Sequence, residues 1–255
     1  MLHQERHEKI LEQLKIKHAV KVNTLAKELG ASESTIRRDI NELDNLGLLK
    51  RVFGGAVSIT GNIASEVTDV AERVLLNVKE KDRIAQYAAT LISDNDFVFI
   101  DAGTTTEKMI DYIENRNVTY VTNGIVHAQK LVQKGFNVFI IGGSLRPMTE
   151  AAVGSAAIES IKQYNFTKCF MGANGVDIER GFTTPDISEA AIKAEAIRRS
   201  HVSYVLVDHE KFGRVSSVTF AGIEDASIVT NRAENPQYRQ YTSIKEVDLE
   251  YGGRK

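Results

Sequence analysis

The chain has 255 residues, 42% hydrophobic and 26% charged, with 32 Lys and Arg against 34 Asp and Glu and a net charge of −2. That is the composition of an ordinary globular protein long enough for one large domain, or for a small and a large one. A single cysteine, Cys169, and no Cys/His cluster exclude a disulfide framework and leave no metal or cofactor expected. No apolar run approaches the roughly 20 residues a membrane-crossing helix needs, and residues 1–9 carry Glu5, Arg6, Glu8 and Lys9 with no apolar stretch behind them, so neither a membrane partner nor a signal peptide is expected and the chain is expected in the cytoplasm.

Charge is unevenly placed, with +2 on residues 1–60 and −4 on the remainder. Within the first 58 residues the apolar spacing predicts three helices and a hairpin. Ile10, Leu11 and Leu14 form one stripe, and Leu25, Ala26 and Leu29 form a second that Gly30 should stop. Ser32 reads as an N-cap with Glu33 favourable behind it, opening a third helix to about Leu46 that Gly47 ends. Residues 48–52 and 56–59 then read as two short strands joined at Gly54-Gly55. This order is that of a winged helix-turn-helix. On the third helix Ile36, Ile40 and Leu43 share one face, while Ser34, Arg37, Arg38 and Asn41 share the opposite one, a side-chain set that reaches phosphates and base edges.

Residues 59–78 read as a linker ending in a short helical piece near 67–76. From residue 79 to 231 helices (80–92, 106–114, 154–163, 186–199) alternate with apolar runs (97–100, 118–121, 138–141, 168–171, 204–207), the pattern of an α/β domain with a mainly parallel sheet. Residues 232–255 read as a polar, loosely held tail. After the first run, Phe-Val-Phe-Ile-Asp-Ala-Gly-Thr-Thr-Thr at 97–106 places Asp101, Gly103, Thr104 and Thr105 at a strand end and a helix start, where parallel sheets bind ligands and helix N–H groups attract anions. No Gly-Lys-Ser/Thr follows, so it is not a nucleotide-hydrolysing loop. Asn123, Gly142-Gly143 with Arg146, residues 172–175, and Asp208 with Lys211 follow later runs and are expected on the same edge. Carboxylates and amides there would accept from sugar hydroxyls, and Arg146 and Lys211 would hold a phosphate. His209 offers acid/base chemistry but has no partnered nucleophile, Glu189 and Lys193 have the spacing of a helical ion pair, and Cys169 reads as packing.

Two stretches carry a resemblance. Residues 31–40, Ala-Ser-Glu-Ser-Thr-Ile-Arg-Arg-Asp-Ile, and 41–56, ending Lys-Arg-Val-Phe-Gly-Gly-Ala, closely resemble the N-terminal domain of DeoR-family transcriptional repressors. The resemblance runs on through the second half to about residue 230. It implies that Ser34, Thr35, Arg37 and Arg38 lie in or beside the major groove of double-stranded operator DNA, that Arg51 approaches a phosphate, and that Asp39 buttresses the arginines; Ser32 and Asn41 are expected in the same DNA-binding set. It implies a sensor domain resembling ribose-5-phosphate isomerase in fold, with a phosphorylated sugar as effector and Asp101, Gly103, Thr104, Thr105, Asn123, Gly142, Gly143, Asp208 and Lys211 at the matching positions. Arg73 and Lys81 fall where the family has basic residues implicated in inducer response. Gly-Phe-Thr-Thr-Pro-Asp-Ile-Ser-Glu-Ala at 181–190 looks most like the fructose-operon repressors, making fructose 1-phosphate the first inducer to test. A homo-oligomer is expected, since one small wing-bearing domain recognises DNA weakly. An isomerase-like enzyme using Asp101, Asp208, Lys211 and His209 is the alternative, and a nonspecific DNA-packaging protein is disfavoured by the acidic second half.

Overall fold

The computed structural model describes residues 3–17, 19–46, 48–57, 63–64, 70–233 and 235–247. Chain contacts divide it into two compact units, Met1–Ile63 and Ala64–Lys255. The expected helix stop at Gly47, the far end of the wing at 58–59, linker residues 59–62 and 65–69, and residues 248–255 lie outside the described residues.

The first unit runs α1 (His3–Lys17), β1 (Ala19–Lys21), α2 (Val22–Leu29), α3 (Glu33–Asn45), β2 (Lys50–Val52) and β3 (Gly55–Val57). The predicted stripes meet in one core in which Ile10, Leu14, Leu25, Leu29, Ile36, Ile40 and Leu43 are buried. Gly30 closes α2 in the left-handed conformation, and Ser32 caps α3 by accepting from the Thr35 N–H at 3.2 Å. The wing is three-stranded, because β1, which was not predicted, pairs antiparallel with β3. The two wing glycines serve different needs. Gly54 turns at φ +80°, whereas a Cβ on Gly55 would meet the Val20 carbonyl at 2.0 Å, so only glycine lets β1 close on β3.

The second unit opens with a two-residue strand β4 (Ile63–Ala64), at the division between units, and continues α4 (Val70–Leu75), α5 (Val78–Ala89), β5 (Phe97–Ile100), α6 (Thr104–Asp111), β6 (Thr119–Thr122), α7 (Ile125–Gln133), β7 (Asn137–Ile140), β8 (Ser144–Arg146), β9 (Ala151–Val153), α8 (Ser155–Lys162), β10 (Phe166–Gly172), β11 (Gly175–Asp177), β12 (Gly181–Thr184), α9 (Ile187–Arg198), β13 (Ser200–Leu206), β14 (Val215–Ser216), β15 (Val218–Ala221), β16 (Ser227–Thr230) and β17 (Ile244–Glu246). Seven strands form one all-parallel sheet in the order β17-β16-β13-β10-β5-β6-β7. Both faces are covered. Val98, Ile100, Tyr120 and Phe170 pack with Ile84, Met109, Ile110 and Leu131 of α5, α6 and α7, while Phe99, Cys169, Met171 and Val205 pack with Ile161, Ile192 and Ala196 of α8 and α9. Burial on both sides is why the central strands β5, β6 and β10 read as continuous apolar runs. Among the described residues no helix is long and apolar enough to cross a membrane.

The order of strands matters for function. From β5 the chain proceeds outward through β6 and β7, then returns to lay β10 on the other side of β5 and continues through β13, β16 and β17. The C-terminal ends of β5 and β10 therefore flank the switch point of the sheet, where ligands bind in open parallel sheets. One expectation fails outright: residues 235–247 are not a loose tail, because Tyr238 is buried, its hydroxyl donates to the Val176 carbonyl at 3.1 Å, and β17 pairs with β16.

Asp39 does not buttress Arg37 or Arg38. It is 1% exposed and accepts two hydrogen bonds from Arg6 of α1, at 2.5 and 2.9 Å. Burial alone would raise its pKa, but the Arg6 hydrogen bonds and charge outweigh that and hold the carboxyl below its ordinary value. Asp39→Asn leaves the Arg6 guanidinium without its countercharge and is expected to destabilise the first unit by about 3 kcal/mol, read from urea unfolding of the full chain; a loss under about 0.5 kcal/mol contradicts this.

Candidate functional site

Asp101, Gly103, Thr104, Thr105, Asp208 and Lys211 line one cavity of about 130 Å³ at the switch point, together with Arg73 and Lys81. The parallel register brings them there: Asp101 follows β5, Gly172 ends β10 and Asp208 follows β13, all on one edge. Beneath the cavity lies a buried knot. One oxygen of Asp101 accepts both from the Lys193 ammonium and from the Gly172 N–H (3.1 Å), and Lys193 also donates to the Gly172 carbonyl at 3.1 Å. Asp101 Oδ2 is thus engaged by protein donors. Lys193 leaves Glu189 and turns inward, correcting the expected helical ion pair; Glu189 lines the cavity.

The wall is rich in cations. Burial pushes the Lys81 amine down to about 8, opposed by Asp208 and reinforced by the charges of Lys211, Arg73 and Lys108. Burial likewise lowers Lys211. The charges of Asp208 and Glu210 oppose that effect on Lys211, and Arg73 Nε is buried without a hydrogen-bond partner. Lys81 donates to the Arg73 carbonyl, and Arg214 lies 3.7 Å from Glu210. The start of α6, whose first-turn N–H groups have no partner within the helix, lines the same cavity. Such a wall is favourable for a small anion carrying hydroxyl groups.

Four expected ligand residues do not line this cavity. Asn123 is buried under the loop, where its Oδ1 accepts from the Ala102 N–H at 2.9 Å and braces the 101–103 turn. Arg146 is taken by Asp186, the N-cap of α9. Gly142 and Gly143 form the turn into β8, and a Cβ on Gly143 would strike the Val153 carbonyl at 2.6 Å, a sufficient reason for glycine there. These residues follow β6 and β7, on the far side of the switch point. His209 is held by Asn231 through ring and backbone contacts at 3.1 and 2.9 Å. Cys169 is buried in β10, its thiol pushed up to about 11 by burial. Sequence reasoning missed Lys193 as the Asp101 partner and Arg214 in the lining, whereas Asn174 and Glu210 fall in the stretches 172–175 and 208–213 expected on this edge.

In the first unit, Ser34, Arg37, Arg38 and Asn41 are exposed along α3, with Thr35 half-buried. Ser32 is primarily the helix cap, its hydroxyl also 2.8 Å from those of Ser34 and Thr35. Arg51 donates to Asn41 Oδ1 at 2.8 Å, and its N–H donates to Asp44 at 3.0 Å, joining the wing to α3. Phe53, not singled out from sequence, stands fully exposed at the wing tip.

A capped helix that presents two exposed arginines beside a three-stranded wing belongs to the winged helix-turn-helix DNA-binding transcription regulators. Residues 6–62 match the family model described as the DeoR-like helix-turn-helix domain, and residues 76–232 that of the DeoR C terminal sensor domain. The chain is 42% identical over 251 residues to an "uncharacterized HTH-type transcriptional regulator FruR" of Bacillus subtilis, covering 97% of this chain and 99% of the relative. It is 31% identical over 238 residues to the lactose phosphotransferase system repressor of Staphylococcus aureus strain N315, covering 91% and 94%. The chain belongs to the DeoR family. Ribose 5-phosphate isomerase A from Methanocaldococcus jannaschii aligns over 52% of this chain and 53% of its own, with 16% identity and a TM-score of 0.39, a likeness too slight to carry an argument.

His127 of α7 supports the cavity loop from behind, donating from Nε2 to the Gly103 carbonyl at 3.1 Å. Burial holds its pKa below the ordinary 6.5, against the upward pull of Asp101 and Glu107. The folded state therefore refuses a proton that the unfolded chain accepts, so this stability is present above the ordinary value and is lost as pH falls below it, by up to about 1.4 kcal/mol per pH unit. Urea unfolding between pH 7.5 and 5.5 is expected to show this slope in the wild type and a shallower one in His127→Gln; identical slopes contradict it.

Proposed function

We propose that the protein is a cytoplasmic repressor of a sugar-utilisation operon that binds double-stranded operator DNA through α3 and the wing, and leaves it when a phosphorylated sugar enters the cavity. The observation that carries this is the buried Arg73 Nε without a hydrogen-bond partner, in the same cavity as Lys81, Lys211 and the start of α6. An anion there satisfies those donors and relieves the mutual repulsion that helps lower Lys81. Carboxylates in the same wall, Glu189 and Asp208, suit the hydroxyls of a sugar. Fructose 1-phosphate is the first ligand to test, on the resemblance of residues 181–190 to fructose-operon repressors. Sensing needs no turnover, only unequal affinity for the ligand between DNA-competent and incompetent arrangements.

On the DNA side, Ser34, Thr35, Arg37 and Arg38 are assigned to the major groove and Arg51 with Asn41 to the phosphate backbone, with Ser32 holding the helix start. Recognition by one such domain is weak, so we expect a homo-oligomer. The open edge strand β7, where Phe139 and Ile140 are about half exposed, is the surface that favours self-association.

Operator binding titrated with a panel of phosphorylated sugars tests the reading. Arg37→Ala is expected to weaken operator binding by about 1–3 kcal/mol while sugar-phosphate binding persists. Lys211→Ala is expected to bind operator normally and stay bound when the wild type is released. Normal release of Lys211→Ala, or undiminished operator binding by Arg37→Ala, overturns the assignments.

A further inference from the structure

Between α1 and α3 lies a cluster of metal-binding groups, bordering Arg38 and Asn41 on α3. His3 and His7 are four residues apart on α1, so their rings share one helix face, with centroids 4.1 Å apart. Glu42 reaches them from α3, its Oε2 3.1 Å from His3 Nε2. The two imidazole nitrogens and a Glu42 carboxylate oxygen all lie within 4.8 Å of one another. His7 Nε2 is buried and makes no hydrogen bond, although Asp39 Oδ1 is 3.5 Å away. A buried imidazole nitrogen without a hydrogen-bond partner is a position that a metal ion, taking the neutral ring as ligand, would satisfy.

We propose that His3, His7 and Glu42 form a binding site for one divalent transition-metal ion of the zinc type, tying α1 to the recognition helix. Two imidazoles and one carboxylate favour zinc, cobalt or nickel over magnesium or calcium, which take oxygen donors. Bonds of about 2.0–2.1 Å in a tetrahedral arrangement put ligand atoms about 3.3 Å apart; the His3–Glu42 pair is already at that spacing. His3 and Glu42 are each about half exposed, at 52% and 48%, so they can rotate to close the remaining distance and leave a path for the ion from solvent. Asp39 is not counted as a ligand, because Arg6 occupies both of its oxygens, but it adds negative charge 3.5–3.6 Å from both rings. A fourth position remains for water. The sequence concealed the site because 35 residues separate His7 from Glu42 and no cysteine is involved.

The full-length protein, stripped with a chelator and desalted, is titrated with Zn²⁺ by calorimetry and with Co²⁺ by visible absorption. The expected result is one ion per chain, a tetrahedral Co²⁺ spectrum, a rise in the thermal midpoint with Zn²⁺ and none with Mg²⁺. His3→Ala, whose side chain is half exposed and whose fold circular dichroism checks, and Glu42→Gln are each expected to lose at least tenfold in affinity, and His3→Ala/His7→Ala to lose binding. Absence of saturable uptake by the wild type overturns the proposal. Equal uptake by the wild type and the double variant does so too, because it would place the ion on other residues.

Discussion

The sensor unit is organised around one buried ion pair. Asp101 at the end of β5 and Lys193 in α9 meet where the sheet changes direction, and the Gly172 peptide at the end of β10 bonds to both. Two charges withdrawn from water cost several kcal/mol each unless paired and hydrogen-bonded, so neither partner is free to move alone. Around this fixed point the start of α6, the end of β10 and α9 form the floor of the cavity, and the Phe220 ring lies 5.7 Å from the Lys193 ammonium. Asn123 and His127 hold the 101–103 turn from the other side of β5, through the Ala102 N–H and the Gly103 carbonyl. Polar side chains thus support the cavity loop from two directions.

Charge works by position in both units. The −2 total conceals pairs that cancel locally, Arg6 with Asp39, Lys193 with Asp101 and Arg146 with Asp186, and a few cations left uncompensated. On α3, Arg38 and the Arg37–Glu33 pair, 3.3 Å apart and exposed, face solvent, where an ion pair is weak and exchanges readily for a phosphate or a base edge. In the cavity, burial raises the strength of each electrostatic interaction, which is the basis for proposing that Lys211 and Arg73 hold an anion.

Much of this was legible in the sequence where local rules govern. The capping serine, the Gly30 stop, the amphipathic α3 and the apolar runs of β5, β6, β7, β10 and β13 all follow from periodicity and caps, as did the clustering of Asp101, Thr104, Asp208 and Lys211. What escaped was set by partners distant in the chain. Strand order cannot be read from a run of apolar residues, so Asn123, Gly143 and Arg146 were grouped with the switch-point residues although β6 and β7 carry them away. Lys193 looked like a partner for Glu189 because i,i+4 spacing is visible and a contact across 92 residues is not. Residues 235–247 looked loose because a short parallel edge strand has little alternation to show. Asp39 is adjacent to the arginines in sequence, yet the helix turns it away from them into α1.

The claim that the Asp101–Lys193 pair organises the sensor is tested most directly by a double-mutant cycle on urea unfolding. Asp101→Asn and Lys193→Met each leave a buried charge alone and are predicted to cost about 3–5 kcal/mol, while the double variant recovers most of that loss, giving a coupling of at least about 2 kcal/mol. Additive losses, with a coupling below about 0.5 kcal/mol, would contradict the account.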